Sequence, residues 1–387
     1  MVTVLLARQL LTPLETVEDA ALVMEDGVIS AVGARAEITL PANARVVDFG
    51  DAILTPGLID IHIHGGAGHD VMEGSSEGLA AIERLMARHG VTSYCPTTIT
   101  APANETLASL EKLASFVEEG KRGANPDRAQ PLGIHIEGPF LSHARRGVHP
   151  STLLRPVSVH LFEQMWEAAA GQICMLTIAP ELERALEVIS SAASRGICVS
   201  IGHSNADLAQ AAAGVQAGAR HATHTFNAMR RMTHRDPGVL GELLTNDAVT
   251  ADIIADGMHV GPAVIDLFMR VKGVDRAVLI TDAISATGMP DGTYRLGSFE
   301  VQVRDGRCES YGKLAGSVLT MDVALRNVMS FARLNFQDSI RLATVNPARV
   351  LGLENRKGVL KPGADADVAV FSPSGEVRKT IVRGQVA

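Results

Sequence analysis

Two histidines, His62 and His64, stand at alternate positions at the end of an apolar stretch that runs over residues 58–63. Alternate residues of a β-strand point to the same face, so the two imidazoles project together if this stretch is a strand. Two converging imidazoles followed by two glycines are typical of half a metal site. The spacing alone does not distinguish such a site from two histidines that merely cap a buried strand.

The composition of the chain is that of a large globular protein, whose strands and helices must position these histidines. It has 387 residues, 46% of them hydrophobic, which is enough for one large domain with a sizeable core and a small second domain. The formal net charge is -8, the aromatic content is 4%, and no basic run is present. This composition argues against nucleic-acid binding. An anionic substrate must therefore be held by a few local groups.

The four cysteines are scattered and include no CxxC pair: Cys95, Cys174, Cys198 and Cys308. They indicate reduced thiols in a cytoplasmic protein and argue against a cysteine-based zinc site. The first residues lack a basic region followed by a long apolar run, so we predict no signal peptide. No apolar stretch approaches the length of about 18 residues that a membrane-spanning helix needs.

Short β-strands are predicted at both ends of the chain. Asp26-Gly27 separates two apolar stretches and predicts a hairpin, and two further strands are expected over 367–371 and 379–382. Neither end is large enough to form a stable domain alone. We therefore predict a small, discontinuous β-sandwich domain built from residues 1–54 and 355–387.

The middle of the chain, residues 55–354, alternates apolar strands with helical patterns. Eight strands are predicted, at 58–63, 92–95, 132–137, 172–179, 197–201, 220–224, 250–254 and 277–281. Helical patterns lie between most of them, for example at 76–89, 104–119, 181–195 and 206–217. Strands that alternate with helices predict an α/β fold, and eight of them predict a (β/α)8 TIM-like barrel. The active site of such a barrel lies at the carboxyl ends of its strands.

Metal-ligating residue types occur where the predicted strands end. They are His62 and His64 on the first strand, Glu137 on the third, His203 on the fifth, His224 on the sixth and Asp282 on the eighth. Four histidines and two carboxylates on one rim would be a coincidence in a purely structural barrel. The ordered set therefore predicts a metal centre at the barrel mouth.

The chain resembles the amidohydrolase superfamily and, within it, the family of N-acetylglucosamine-6-phosphate deacetylases. The resemblance covers nearly the whole chain. It is carried by Pro-Gly-Leu-Ile-Asp-Ile-His-Ile-His-Gly at 56–65, His-Ile-Glu-Gly-Pro-Phe at 135–140, Gly-His-Ser at 202–204, His-Thr-Phe-Asn-Ala-Met at 224–229, Ala-Asp-Gly-Met-His-Val at 255–260, Thr-Asp-Ala at 281–283 and Leu-Ala-Gly-Ser at 314–317. It implies a metal-dependent barrel with a small sandwich formed from both termini.

The implied activity is hydrolysis of N-acetyl-D-glucosamine 6-phosphate to D-glucosamine 6-phosphate and acetate in amino-sugar catabolism. A deacetylase of N-acetylgalactosamine 6-phosphate or another acylated amine is the nearest alternative. A cyclic amidase of the dihydroorotase type often carries a bridging lysine on strand four, and residues 172–179 contain no lysine. A non-catalytic scaffold on the same fold typically loses metal ligands, whereas this chain keeps all of them.

The resemblance implies that Glu137, His203 and His224 hold a divalent metal ion. His62 and His64 would hold a second ion, with Glu137 as the bridge. One or two ions per subunit are compatible with this set. Zinc is the first choice, and iron, manganese and cobalt suit the same ligands.

The resemblance also implies the catalytic groups. Asp282, which stands beside the metal ligands, is expected to act as the general base that takes a proton from the attacking water and returns it to the departing amine. His149 is expected to polarise the acetyl carbonyl or to bind the sugar. A histidine in a surface loop is the alternative interpretation of His149.

The phosphate-binding groups implied by the resemblance are Arg235 and His259, together with backbone donors of Asn227 and Ala228. The guanidinium fork of arginine suits phosphate oxygens, although a solvated loop charge is the alternative for Arg235. Three residues are expected to line the sugar or acetyl pocket: Leu314, Ala315 and Gly316. In the family, one of the phosphate-binding residues can come from a neighbouring subunit, so a homodimer is expected.

Overall fold

The computed structural model describes residues 2–13, 15–123, 125 and 127–385. Its strands, in chain order, are β1 (Val2–Leu11), β2 (Thr16–Glu25), β3 (Val28–Ala34), β4 (Arg45–Asp48), β5 (Ile53–Pro56), β6 (Leu58–Ile63), β7 (Gly65–Gly66), β8 (His69–Asp70), β9 (Val91–Thr98), β10 (Gln130–Pro131), β11 (Ile134–Glu137), β12 (Ile173–Ile178), β13 (Cys198–Ile201), β14 (His221–Ala222), β15 (Thr250–Ile254), β16 (Ala277–Ile280), β17 (Gly292–Leu296), β18 (Phe299–Arg304), β19 (Arg307–Ser310), β20 (Lys313–Leu314), β21 (Val368–Phe371) and β22 (Val377–Ile381).

The helices lie mostly between the strands of the middle region and at its end. They are α1 (Ser76–Arg88), α2 (Ala103–Arg122), α3 (Val159–Ala168), α4 (Ala185–Ser194), α5 (Leu208–Ala217), α6 (Gly238–Thr245), α7 (Pro262–Lys272), α8 (Met321–Ala332), α9 (Phe336–Leu342) and α10 (Val345–Val350). Among the helices of the described residues, none combines the length and the apolar character that crossing a membrane requires.

Eight parallel strands form the barrel, and they confirm the predicted (β/α)8 TIM-like fold. They pair in the order β6, β9, β11, β12, β13, β14, β15 and β16. The barrel closes just beyond β16, where Ile63 bridges Ala283 and the Asp282 backbone N–H donates to the His62 carbonyl at 3.0 Å. Every residue of β6 and β16 is buried, as expected for parallel strands covered by helices.

The helices cover the barrel with apolar stripes. In α1 the side chains of Leu79, Ile82 and Met86 are buried at helical spacing, and Ser75 caps the helix by accepting a hydrogen bond from the Gly78 backbone. This packing holds the strands in a fixed register, so their carboxyl ends form one rim.

Several predicted elements differ at their ends by a few residues, and two of these differences bear on the barrel rim. The strand predicted over 220–224 pairs only over His221–Ala222, because the chain turns out of the sheet at His224, whose φ is 31°. The helix predicted from Glu181 starts at Ala185. The Glu181 carboxylate instead accepts hydrogen bonds from Ser204 at 2.7 Å and from the Asn205 backbone at 2.6 Å.

Strands from both ends of the chain form a second, mixed sheet in the order β22-β21-β5-β1-β2-β3, with β4 also paired to β1. The hairpin predicted at Asp26-Gly27 is present between β2 and β3. Alternate residues of β1 are buried on opposite faces, so a single hydrogen-bonded sheet carries apolar side chains on both sides. Strand β5 runs across the boundary predicted between residues 54 and 55, and the outer bounds, 1 and 387, lie outside the described residues.

A four-stranded antiparallel sheet, β17–β20, follows the last barrel strand and was not predicted. Its signal is present in the sequence, because residues 299–304 alternate between apolar and polar types and Asp305-Gly306 follows as a turn. The buried side packs against the barrel mouth, where Leu296 and Phe299 join Ile99 and Ile284 in a small core.

Candidate metal centre

Six side chains from five barrel strands meet in one buried cluster at the carboxyl rim. They are the predicted set His62, His64, Glu137, His203, His224 and Asp282, and none is more than 8% exposed. Their ligand atoms face one another, although residues 62 and 282 are far apart in the chain. The barrel geometry therefore brings together all the strand-end groups that the sequence singled out.

Glu137 lies at the centre of the cluster. Its Oε1 is 3.0 Å from Nε2 of His224 and 3.2 Å from Nε2 of His203. Its Oε2 is 3.4 Å from Nε2 of His64, and Oε1 is 3.6 Å from Nε2 of His62. One carboxylate thus contacts both pairs of histidines, which is the position that a bridging ligand requires.

Asp282 closes the other side of the cluster. Its Oδ1 is 3.2 Å from Nε2 of His64 and 3.5 Å from Nε2 of His62. The ligand atoms of these three residues lie within 4.8 Å of one another, and so do those of Glu137 and His203 together with His149. The donors therefore form two adjacent groups.

The backbone turns sharply at three of these strand ends. His203, His224 and Asp282 have φ angles of 47°, 31° and 50°, in the left-handed region. This conformation costs residues other than glycine about 1–3 kcal/mol and persists only where the surroundings enforce it. At His224 part of that support is visible, because its backbone N–H donates to the Asp252 carboxylate. The turns aim the side chains inward across the barrel mouth.

Backbone carbonyls fix the orientation of two imidazoles. Nδ1 of His64 is 3.0 Å from the Thr97 carbonyl oxygen, and Nδ1 of His203 is 3.0 Å from that of Arg145. Because a carbonyl only accepts, each Nδ1 carries a hydrogen, and the Nε2 atom of each ring faces the cluster. Metal-ligating histidines are held in this way.

Nε2 atoms lie unusually close to one another in the cluster. The Nε2 atoms of His62 and His64 are 3.2 Å apart, and those of His203 and His224 are 3.0 Å apart. Nitrogen lone pairs repel each other at this distance, so a cation between the Nε2 atoms would stabilise the arrangement. The donor set of imidazoles and carboxylates fits a divalent transition metal ion.

The electrostatics of the cluster point the same way. Burial alone would raise the pKa of Glu137, but the surrounding imidazoles of His62, His149 and His203 hold that pKa well below its usual range. Burial likewise opposes ionisation of Asp282, yet hydrogen bonding to His64 lowers its pKa to about 2. Two carboxylates stay ionised in a buried site, and positive charge is needed to balance them.

His149 is buried in the wall of the site. It is 2% exposed, its Nδ1 is 2.8 Å from Thr100 Oγ1, and its Nε2 is 3.4 Å from Oε2 of Glu137. Burial lowers its pKa to about 4, so the ring is neutral at physiological pH. The alternative of a surface-loop histidine is therefore wrong, because the loop folds inward over the barrel mouth.

A cavity of about 120 Å³ opens above the cluster. Most of the predicted site residues line it: His64, Glu137, His149, His203, His224, Asn227, Ala228, His259, Asp282, Leu314 and Gly316. His62 lies beneath it and is fully buried.

Besides His62, two predicted residues do not line the cavity. Arg235 lies in an exposed loop, where its backbone N–H donates to Thr233 Oγ1 at 3.4 Å. Ala315 is 1% exposed and packs in the core beneath the inserted sheet, with its backbone N–H bonded to the Cys308 carbonyl.

Four lining residues were not predicted: Ile99, Gly147, Val148 and Leu296. Gly147 and Val148 directly precede His149, and that adjacency could have identified them. Ile99 follows the second barrel strand without a polar signal. Leu296 comes from the inserted sheet, so its place depends on tertiary packing.

Two polar residues near the cluster have structural partners instead of facing the cavity. His221 Nε2 is 2.9 Å from Oδ2 of Asp252, and its Nδ1 is 2.7 Å from Thr250 Oγ1. Asp60 accepts a hydrogen bond of 2.6 Å from Thr281 Oγ1, and burial raises its pKa to about 7. Both residues tie neighbouring strands together below the rim.

Comparison with known proteins gives extensive similarity. A model of the amidohydrolase family matches residues 53–387. The N-acetylglucosamine-6-phosphate deacetylase of Bacillus subtilis (strain 168) is 37% identical over 383 residues, which cover 98% of this chain and 95% of that protein. The N-acetylgalactosamine-6-phosphate deacetylase of Escherichia coli O157:H7 is 37% identical over 388 residues and is matched over the full length of both chains.

Solved structures agree with the sequence comparison. A point mutant of N-acetyl-D-glucosamine-6-phosphate deacetylase from Mycobacterium smegmatis, in complex with N-acetyl-D-glucosamine-6-phosphate, superposes with a TM-score of 0.92 at 34% identity. The superposition covers 100% of this chain and 99% of that one. The similarity therefore includes both the barrel and the terminal sheet.

Proposed function

The chain belongs to the amidohydrolase family, and from that premise we propose that it hydrolyses N-acetyl-D-glucosamine 6-phosphate to D-glucosamine 6-phosphate and acetate. The observation that carries the proposal is the buried cluster around Glu137, with Asp282 beside it and a cavity above it. Relatives that are named as N-acetylglucosamine-6-phosphate deacetylases match the chain over nearly its whole length.

We assign the metal to the same cluster. Glu137, His203 and His224 would hold one divalent ion, and His62 and His64 would hold a second with Glu137 as the bridge. We take zinc as the first choice, because imidazole and carboxylate ligands suit it. Such an ion supplies a polarised acetyl carbonyl and a water of lowered pKa when it is bound.

Asp282 is the proposed general base. Its carboxylate is ionised, lies at the edge of the cluster and borders the cavity in which the acetyl group would sit. It would accept a proton as water attacks the acetyl carbon and would then transfer that proton to the amine nitrogen as the C–N bond breaks. Without that second transfer the amine is a poor leaving group.

His149 is the proposed partner of the acetyl oxygen. Its ring is neutral, buried and held by Thr100, so water does not compete for the N–H that the ring would offer to the acetyl oxygen. A hydrogen bond from this ring to the oxygen would strengthen as negative charge develops there. The apolar side chains of Ile99 and Leu296 would exclude water from the same wall.

The phosphate would be held at the open side of the cavity. His259 and the backbone of Asn227 and Ala228 line that side. Arg235 does not reach the cavity of its own subunit, so we propose that it acts in the neighbouring subunit of a homodimer. We also place the enzyme in the cytoplasm, which agrees with the free state of its four cysteines.

The proposal is tested on purified protein loaded with Zn²⁺, by following acetate release from N-acetyl-D-glucosamine 6-phosphate. We expect Asp282→Asn to lower kcat by about 10²–10⁴-fold, the usual contribution of a positioned acid–base group. The variant should still bind the ion held by Glu137, His203 and His224. Its Tm should equal that of the unmodified enzyme.

The matched control is Asp247→Asn, because that carboxylate is 82% exposed and pairs with Arg276 on the surface. Its kcat should equal that of the unmodified enzyme. Near-normal turnover by Asp282→Asn, or no acetate release by the metal-loaded enzyme, would contradict the proposal.

N-acetyl-D-galactosamine 6-phosphate is the second candidate substrate. The Escherichia coli relative is named as a deacetylase of this sugar phosphate, and it is 37% identical to the chain, as is the Bacillus subtilis relative. The two sugars differ only in the configuration at C4. Comparing kcat/KM for the two sugar phosphates decides between them, and we expect the glucosamine derivative to be preferred.

A further inference from the structure

A second polar cleft lies where the barrel meets the terminal sheet. It has a volume of about 320 Å³, and its polar lining consists of Lys121, Gln130, Arg356, Lys357, Asp365 and Arg383. Gln130 belongs to β10, which pairs with β9 at Ser93, near the amino end of that strand. The cleft is therefore at the opposite end of the barrel from the metal centre.

The cleft carries an excess of positive charge. Four cationic side chains line it, and the carboxylates of Asp365 and Asp367 are the acidic groups that contact them. Two positive charges remain in excess, on a chain whose formal net charge is -8. The local field of this cleft thus has the opposite sign to that of the whole molecule.

The two carboxylates are already engaged. Lys357 Nζ lies 2.5 Å from Asp367 Oδ2 and 3.1 Å from Asp365 Oδ2, and it is buried between them. Arg356 Nη2 lies 2.8 Å from Asp365 Oδ1. Lys357 and Arg356 therefore neutralise the acids. Of the two remaining cations, Lys121 donates through Nζ to Gln172 Oε1, which does not line the cleft.

Arg383 is the other remaining cation, and only its backbone N–H contacts an acid, Asp367 Oδ1 at 2.8 Å, within the described residues. Its Nη1 donates to the Lys121 carbonyl at 3.4 Å, and within the described ranges no carboxylate forms an ion pair with its guanidinium. A guanidinium fork at a cleft wall suits a planar pair of anionic oxygens.

Gln130 adds an independent indication of a ligand. It is 8% exposed, and its Oε1 accepts a hydrogen bond from Lys357 Nζ at 3.4 Å, which orients the amide. Its Nε2 is buried and has no hydrogen-bond partner among the residues that the structure describes. An unsatisfied buried donor is costly and calls for an acceptor.

We propose that this cleft is a second, non-catalytic binding site for a small organic phosphate. Arg383 would pair with the phosphate oxygens, and Nε2 of Gln130 would donate a neutral hydrogen bond to the same ligand. The volume suits a ligand about as large as a sugar phosphate. Since the cleft is lined by both the barrel and the terminal sheet, an occupant would link the two units.

The test counts phosphate sites on the metal-loaded enzyme by titration calorimetry with inorganic phosphate. We expect Arg383→Gln to weaken one class of sites by about tenfold or more, the loss expected for a charge-assisted hydrogen bond. Any phosphate bound at the metal centre is common to both proteins and cancels in the comparison. Gln130→Glu, which is nearly isosteric, should abolish the same class by placing a carboxylate against the ligand.

The matched control is Arg378→Gln, because Arg378 lies in the same sheet but pairs with Asp51 outside the cleft. Its phosphate binding should equal that of the unmodified protein. A crystal soaked in tungstate should show anomalous density beside Arg383.

Three outcomes would overturn the proposal: Arg383→Gln titrates like the unmodified protein, tungstate density is absent from the cleft, or citrate binds there and phosphate does not. The last outcome would identify a carboxylate site in place of a phosphate site.

Discussion

Nδ1 of His259 and Oδ2 of Asp256 are joined by a hydrogen bond of 2.6 Å. The other carboxylate oxygen, Oδ1, accepts the backbone N–H groups of Met258 and His259, both at 2.8 Å. Burial alone would raise the pKa of Asp256, but the hydrogen bond from His259 holds it below its usual range. Asp256 is therefore an ionised group that fixes the imidazole lining the cavity, and it was not predicted.

We expect Asp256→Asn to raise KM for N-acetyl-D-glucosamine 6-phosphate about tenfold while kcat changes little, because His259 is proposed to bind the phosphate and to take no part in the chemical step. Steady-state kinetics at several substrate concentrations separate the two parameters. Asp266→Asn is the control, because its carboxylate pairs with Arg270 on the outer face of α7. A fall in kcat at constant KM would contradict a binding role for His259.

The metal assignment predicts a difference in stoichiometry between two variants. His64→Asn should lose one ion and keep the other, because Glu137, His203 and His224 remain. Glu137→Gln should lose both, since that carboxylate contacts both groups of histidines. Elemental analysis of the dialysed proteins measures this directly.

Chelation gives a second readout of the same assignment. A bound ion stabilises the folded state by mass action, so a chelator should lower the Tm of the unmodified protein. Glu137→Gln should show no such shift. An equal shift in both proteins would place the ion outside this cluster.

The proposal that Arg235 acts across a homodimer predicts complementation. Arg235→Gln and Asp282→Asn should each be impaired alone, the first in KM and the second in kcat. When the two are unfolded and refolded together, a mixed dimer contains one site with an intact Asp282 and the partner's Arg235. Recovery of kcat/KM toward a fraction of the unmodified value is expected, and its absence would indicate that Arg235 acts within its own subunit or not at all.

Acid stability should depend on Asp322, which joins α8 to the end of α1. Its carboxylate is 9% exposed and accepts hydrogen bonds from His89 Nδ1 at 3.0 Å and Thr320 Oγ1 at 2.6 Å. Burial alone would raise the pKa of Asp322, but these hydrogen bonds hold it well below its usual range. A carboxylate whose folded pKa is depressed stabilises the protein above its unfolded pKa of about 3.9, and this contribution is lost as the pH falls below that value.

We therefore expect Asp322→Asn to lower the free energy of unfolding by about 1–3 kcal/mol at neutral pH, the usual contribution of hydrogen bonds to a charged group. The difference should narrow as the pH falls below about 4. Urea unfolding at several pH values measures it, with Asp247→Asn as the exposed control. A difference that stays constant with pH would mean that packing, and not charge, accounts for the effect.

Much of the architecture could be predicted from local patterns. The alternation of buried strands such as β6 with amphipathic helices such as α1 predicts a barrel, because each element must bury one continuous apolar surface. The rule that parallel strands end on one rim then brings residues as distant as His62 and Asp282 to the same place. The inserted sheet β17–β20 was missed, although its alternating pattern was present in residues 299–304.

The sequence by itself determined which residue types stand at the strand ends, because strand periodicity and the barrel's single active rim are properties of local pattern. Only the tertiary structure decided the rest: the closeness of the Nε2 atoms, the burial of His149, the exposure of Arg235 and the partnership of Asp256 with His259. These depend on turns at positive φ and on loop packing over the barrel mouth. Contacts between residues distant in the chain set both, and no local pattern encodes them.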